Sequence, residues 1–221
     1  MPDIVSEFKE IMSLTKRYLE RKEESEGNLF FIKPKEPAIS EQNFLDPEMA
    51  DCNKCFLAKS RRRIVWGEGN KNADLLLIGE APGEKEDLEG KPFLDKDGEL
   101  LTKILQAVNL QREDVYITNL IKCRPEGKLK IDSEEVINCL KLLYLQIRQI
   151  KPKIICTLGN LATRALLERE ESITDLRGKI YYFRGIKVVP TFHPAYLLKN
   201  PKEKRKVWDD IQKIRDLLIS G

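Results

Sequence analysis

Continuous apolar runs, each followed by a stretch of helical periodicity, predict an α/β fold in which a parallel sheet lies between layers of helices. The first run is Leu75, Leu76, Leu77 and Ile78, apolar at every position as a strand covered on both faces must be. Further strand-like runs fall at 115–121, Ile154–Leu158, Tyr181–Phe183 and 187–191, with helical patterns at about 99–107, 133–148 and 161–169 between them. Strands alternating with helices favour parallel pairing through crossover connections. Ser133 precedes Glu134 and Glu135, a cap followed by acids where the helix dipole stabilises them. No internal repeat is visible.

The first strand ends at Gly79 and runs into Glu80-Ala81-Pro82-Gly83-Glu84-Lys85-Glu86-Asp87, which reads as an acidic loop punctuated by glycine. Open α/β sheets bind their ligands at the carboxyl ends of the strands, so this loop is expected to line an active site. It is not a phosphate cradle, because that motif needs Lys and Ser or Thr after its second glycine, and carboxylates repel phosphate. Two other strand ends carry chemistry. Asn119 sits toward the carboxyl end of the run at 115–121, and His193, the only histidine, follows the run at 187–191.

The 221 residues suit one α/β domain with an appendage, and 34% charged residues with a mean hydropathy of −0.42 describe a soluble protein. No apolar run approaches the roughly 20 residues of a membrane span, and the N-terminus lacks the apolar stretch of a signal peptide. A cytoplasmic monomer without a membrane partner is expected. Net charge is +3, yet residues 1–50 hold 7 of the 39 Lys and Arg against 11 of the 36 Asp and Glu. The body is therefore basic, which suits a polyanionic partner such as DNA.

Residues 1–48 read as a separate leader before a domain at 49–221. An amphipathic helix is expected at 2–22, with Ile4, Phe8, Ile11, Met12, Tyr18 and Leu19 on one side. A proline-bearing extended connector follows; it serves as a tether, or as a docking peptide for a replication or repair protein.

Cysteines in a cytoplasmic chain are ligands or core residues more often than disulfides. Cys52 and Cys55 form a CxxC pair, with Cys123 and Cys139 further on. Four thiolates suit a structural zinc or a 4Fe–4S cluster; spacing alone does not separate the two, and a redox dithiol or unliganded core cysteines stay open as well. Cys156 lies inside the apolar run Ile154–Leu158 and is read as core.

Taken together, GEAPGEKED, GKPF, TNLIKCRP and FHPAYLL, in that order and with these four cysteines, resemble the uracil-DNA glycosylase superfamily, most closely its iron–sulfur, thermophile-type family 4. The resemblance covers about residues 49–218. It implies a three-layer sandwich around a mainly four-stranded parallel sheet, with a structural 4Fe–4S cluster on Cys52, Cys55, Cys123 and Cys139. It also implies hydrolysis of the N-glycosidic bond of deoxyuridine in DNA for base excision repair, at the nucleoid. Phe93 would stack on the flipped base, Asn119 would read its edge, and the backbone near Glu80 and Ala81 would hold further uracil oxygens. Glu80 would wall the pocket against the thymine methyl, and His193 would stabilise the uracil anion. Glu86, or else Glu80, would stabilise the sugar cation or orient water. Arg61, Arg62, Lys122 and Arg124 are candidates for phosphate contacts. The alternative is a glycosylase-fold DNA-binding or polymerase-accessory module that has lost turnover. The chain departs from the family pattern at 94–98 and in Pro125-Glu126-Gly127-Lys128, and the segment 175–183 lacks the histidine-bearing loop of covalently trapping relatives.

Overall fold

The computed structural model describes residues 52–220; the leader helix, the connector and the domain boundary expected near residue 48 lie outside them. Among the described residues six strands form one sheet: β1 (Glu68–Gly69), β2 (Leu75–Gly79), β3 (Tyr116–Asn119), β4 (Ile154–Leu158), β5 (Tyr181–Phe183) and β6 (Ile186–Thr191). Their order is β1-β3-β2-β4-β6-β5. The four inner strands are parallel, and short antiparallel strands pair at both edges. The expected four-stranded parallel sheet is therefore present, widened by two edge strands.

Helices cover both faces. α1 (Glu84–Glu89) and α2 (Lys96–Gln106) follow β2, α3 (Glu134–Ile150) follows β3, and α4 (Asn160–Leu167) and α5 (Ile173–Leu176) follow β4. α6 (Pro194–Lys199) and α7 (Lys204–Ser220) follow β6. Successive strand side chains point to opposite faces, so each strand feeds two cores. Leu76 and Ile78 join Leu143 and Ile147 of α3 and Leu166 of α4. Leu75 and Leu77 join Leu101 and Leu105 of α2 and Val207, Ile211 and Ile214 of α7. Burial on both sides is why β2 is apolar at every position.

Three elements differ from expectation. The acidic stretch after Gly83 is a helix, α1: Gly83 is its N-cap, and the Gly83 N–H donates to Glu86 Oε2 at 3.1 Å, the half of a capping box that glycine allows. The strand expected at 115–121 is only Tyr116–Asn119, because the chain bends after Asn119 and the Lys122 ammonium folds back onto the Asn119 carbonyl at 2.6 Å. α7 adds a helix whose apolar signal is Val207, Ile211 and Ile214, at positions i, i+4 and i+7. The expected Ser133 cap is present, its Oγ accepting the Val136 N–H.

Candidate active site

The carboxyl ends of β2, β3 and β6 open onto a cleft of about 660 Å³ whose lining includes Ala81, Glu86, Phe93, Asp97, Asn119 and His193. Asn119 is the last residue of β3 and is buried, and its side-chain amide makes no hydrogen bond to another described residue. Register brings it beside Gly79, its partner across the parallel pair. A β-carbon at position 79 would meet the Asn119 Oδ1 and would stand 2.6 Å from Phe93 Cζ. Glycine is therefore required for the amide and the aromatic ring to share one wall.

Phe93 stands between α1 and α2 with φ of 55°, in the left-handed region that bulky side chains avoid. Such outliers persist where surrounding structure holds them. The ring is buried and lies against His193, centroids 5.5 Å apart and planes 25° from parallel.

His193 ends the segment leaving β6 and caps α6. Its Nδ1 accepts the Ala195 N–H at 3.1 Å, so the neutral ring carries its proton on Nε2. Burial lowers the imidazole pKa below its ordinary value of 6.5, while nearby Glu80 pulls it upward. The strand end before it is fixed by Thr191, whose hydroxyl donates to Asp210 Oδ2 at 2.6 Å, with Arg177 Nε on the same oxygen at 3.0 Å.

The two candidate carboxylates are placed differently. Glu86 is buried in the wall of the cleft, and backbone amides hold both its oxygens: Leu94 at 2.7 Å and Asp95 at 3.3 Å on Oε1, and Gly83 on Oε2. It joins the start of α1 to the chain after Phe93. Glu80 turns to the start of α4, its Oε1 accepting the Leu161 N–H at 2.8 Å, and it lines an adjoining cleft rather than the first, while Ala81 lines both. Ala81, Glu86, Phe93, Asn119 and His193 thus meet at one place, with Glu80 at its margin. Asp97 shares the cleft, and burial followed by the charge of Glu86 raises its carboxyl pKa.

On the α3 side of the sheet, Cys52 and Cys55 pack against the core that contains buried Cys123 and Cys139. The four thiols interact electrostatically. Burial is the larger cause in raising the Cys123 pKa to about 11, and that of Cys139 is raised as well. Asn138 Nδ2 donates to Lys54 O at 2.8 Å, tying α3 to the CxxC turn. Arg61 Nη1 donates to Cys52 O at 2.7 Å and to Cys123 Sγ at 3.7 Å. Among the described residues no three Cys, His, Asp or Glu side chains are gathered tightly enough to hold one metal ion. Four thiols on one side of the core, with an arginine turned to them, still form a soft, electron-rich donor set suited to an iron–sulfur cluster. Cys156 belongs to the opposite core, and burial pushes its thiol pKa far up.

One candidate phosphate contact, Lys122, is corrected, and another, Arg61, is partly engaged while still lining a surface cleft with Arg62 and Arg63. Arg61 is engaged with the cysteines, as above. Lys122 is fully buried, its ammonium donating to Gln146 Oε1 at 2.5 Å, Asn119 O at 2.6 Å and Thr118 Oγ1 at 2.7 Å. Burial pushes its pKa down to about 7, opposed by nearby Cys139 and Cys123. Arg62 and Arg124 remain at the surface.

Sequence reasoning missed Arg112 and Gly98. Arg112, in a short 3₁₀ turn before β3, forms an ion pair with Glu68 of β1 at 2.6 Å and reaches the backbone at Phe93. Gly98 lies so close to the Phe93 carbonyl that a β-carbon there would collide with it. A glycine in the first turns of a helix, where alanine is intrinsically better, was the readable signal for Gly98.

The model of the uracil DNA glycosylase superfamily matches residues 66–212, a span that contains the cleft and each of its strand ends. The chain is 44% identical to the type-4 uracil-DNA glycosylase of Saccharolobus solfataricus over 182 residues, covering 78% of this chain and 84% of the relative. It is 41% identical to the type-4 enzyme of Thermotoga maritima over 171 residues (76% and 89%), and 38% identical to that of Archaeoglobus fulgidus over 178 residues (77% and 89%). With a family model spanning the whole site and relatives matched over most of their length, the chain belongs to the uracil-DNA glycosylase superfamily, on its type-4 branch.

Proposed function

We propose that this protein excises uracil from DNA, hydrolysing the N-glycosidic bond and leaving an abasic site. The convergence of Phe93, Asn119 and His193 on one cleft carries this reading. A base must leave the duplex stack before its glycosidic carbon can be reached, and a cleft at the strand ends is where a flipped nucleotide enters. The Phe93 ring offers a stacking face, a contact worth roughly 1–3 kcal/mol per base. Asn119 reads the edge of the base. Its amide nitrogen donates to uracil O4 and its oxygen accepts from N3–H, whereas cytosine presents a donor and an acceptor in the opposite order.

Cleavage leaves negative charge on the uracil and positive charge on the sugar. The Nε2–H of neutral His193 donates to uracil O2 as that charge grows, and in a buried site a preorganised donor stabilises it most. Glu86, immobilised by three amides, sets a carboxylate against the sugar cation and orients water on it. Glu80 acts from the margin through its charge on His193. Backbone near Glu80 and Ala81 closes the base pocket, and Arg62 and Arg124 meet phosphates.

Cys52, Cys55, Cys123 and Cys139 hold a 4Fe–4S cluster, whose chemistry is structural cross-linking of the CxxC turn to the β3 exit and α3. Arg61 and Lys122 back those cysteines from the protein side. The enzyme works as a monomer on DNA at the nucleoid, and residues 1–48 tether it to a replication or repair protein. Among the described residues no helix is long and apolar enough to cross a membrane.

The test is excision from a uracil-containing oligonucleotide, with Asn119→Asp beside the wild type. An aspartate offers only acceptors, so it opposes uracil O4 and accepts from cytosine N4. The bond to N3–H survives, but uracil O4 and one aspartate oxygen are left facing each other without a donor, and two buried acceptors unsatisfied at about 1–3 kcal/mol each predict about a hundredfold loss on uracil. Weak cytosine excision is expected to appear. A folded Asn119→Asp protein that cuts uracil at the wild-type rate would show that Asn119 is not the reader.

A further inference from the structure

We infer that Arg112 is a positioning residue for the base-stacking ring, holding Phe93 in its left-handed conformation; this rests on the glycosylase reading above. Phe93 has φ of 55°, a conformation that a free phenylalanine leaves readily. Three contacts converge on its backbone. Arg112 Nη2 donates to Pro92 O at 2.9 Å, and Nη1 donates to Phe93 O at 3.4 Å. From the other side Gly98, without a β-carbon, allows α2 to close directly on the Phe93 carbonyl.

The guanidinium is itself anchored. Nε and Nη2 donate to Glu68 Oε1 at 3.0 and 2.6 Å, and Glu68 is fixed in β1 by pairing with Ile117 of β3. Nη1 also reaches Thr102 Oγ1 at 3.5 Å, and that hydroxyl donates to Gly98 O at 3.0 Å. One planar fork therefore joins the β1–β3 edge, the Pro92-Phe93 carbonyls and α2, a task that the single ammonium of lysine cannot perform. Arg112 does not line the cleft. Its effect on the base passes through Phe93, the residue whose backbone it grips and whose ring lies against His193.

The experiment is a double-mutant cycle on the full chain, read by single-turnover excision, by affinity for uracil-free duplex and by thermal unfolding. Arg112→Gln should slow excision by about tenfold to a hundredfold, the scale expected when a reacting partner is misplaced by about 1 Å. Affinity for uracil-free DNA should not change, since no flipped base meets Phe93 there. In the Phe93→Ala background, Arg112→Gln should cause no further loss of excision while still lowering the unfolding temperature. Glu68→Gln, which loosens the fork without removing it, should show the same pattern more weakly and serves if Arg112→Gln does not fold. Full additivity of the excision losses, or a wild-type rate in folded Arg112→Gln, overturns the inference. A wild-type chain that leaves uracil in place refutes the glycosylase reading instead, and the two failures are thereby told apart.

Discussion

One methyl group placed on Gly79 should disable the site while leaving the fold standing. Gly79 ends β2 with a backbone that alanine adopts without strain, so Gly79→Ala tests space and not conformation. The added carbon would stand 2.6 Å from Phe93 Cζ and 2.8 Å from Cε2, with the Asn119 Oδ1 nearer still. Carbon atoms pack at about 3.5–4.0 Å, so the ring retreats by about 1 Å and the amide moves with it. Overpacking of this size costs about 1–3 kcal/mol of stability. A 1 Å error in the placement of reacting groups costs about a hundredfold in rate, equivalent to about 2.7 kcal/mol of barrier. Single-turnover excision with enzyme in excess measures the rate, and thermal unfolding measures the fold. If folded Gly79→Ala cuts uracil within about twofold of the wild-type rate, the shared wall of Phe93 and Asn119 is not where the base is held.

The remaining predictions concern protonation and metal. Because burial lowers the His193 pKa below 6.5, its neutral form should dominate from alkaline pH down to that value. Excision should be flat across that range and fall on further acidification, as Nδ1 takes a proton and releases the Ala195 N–H. The unfolded chain binds this proton first, so the His193 contribution to stability is present above 6.5 and is lost as pH falls below it. An acid limb centred above 6.5 that disappears in His193→Asn would contradict the neutral donor. Anaerobically purified protein should be brown with about four irons per chain. Cys123→Ser should bleach it and lower its unfolding temperature, Cys156→Ser should leave the colour intact, and stoichiometric zinc without iron would reject the cluster.

The parallel core was legible because a strand buried on both faces is built mainly from apolar residues, as in the unbroken run Leu75, Leu76, Leu77 and Ile78. α1 was not, because its buried positions are Glu86 and Asp87. Those acids are held inside by backbone amides, Asp87 accepting the Arg62 N–H at 3.1 Å, and apolar periodicity does not register such partners. Asn119 and His193 stood out as polar residues at strand ends. Lys122 was misread as a surface cation because a lysine is buried only when acceptors surround it, and its three come from Thr118, Asn119 and α3. Arg112 escaped for a related reason: two of its partners are carbonyl oxygens, and every residue has one.

The strand order has a consequence for the chain as it emerges from the ribosome. β4 is synthesised after β3 yet inserts beside β2, and β6 pairs only with β4 and β5. The ring of His193 therefore reaches Phe93 only after this last parallel strand has docked. Until then a nascent chain has Asn119 and Phe93 but not yet His193 beside them, the residue to which the proposed mechanism assigns the stabilisation of the leaving uracil. Pairings between distant segments form late because the chain must close long loops first. On the proposed mechanism, a chain stopped before β6 should therefore be unable to cut the glycosidic bond at the full-length rate.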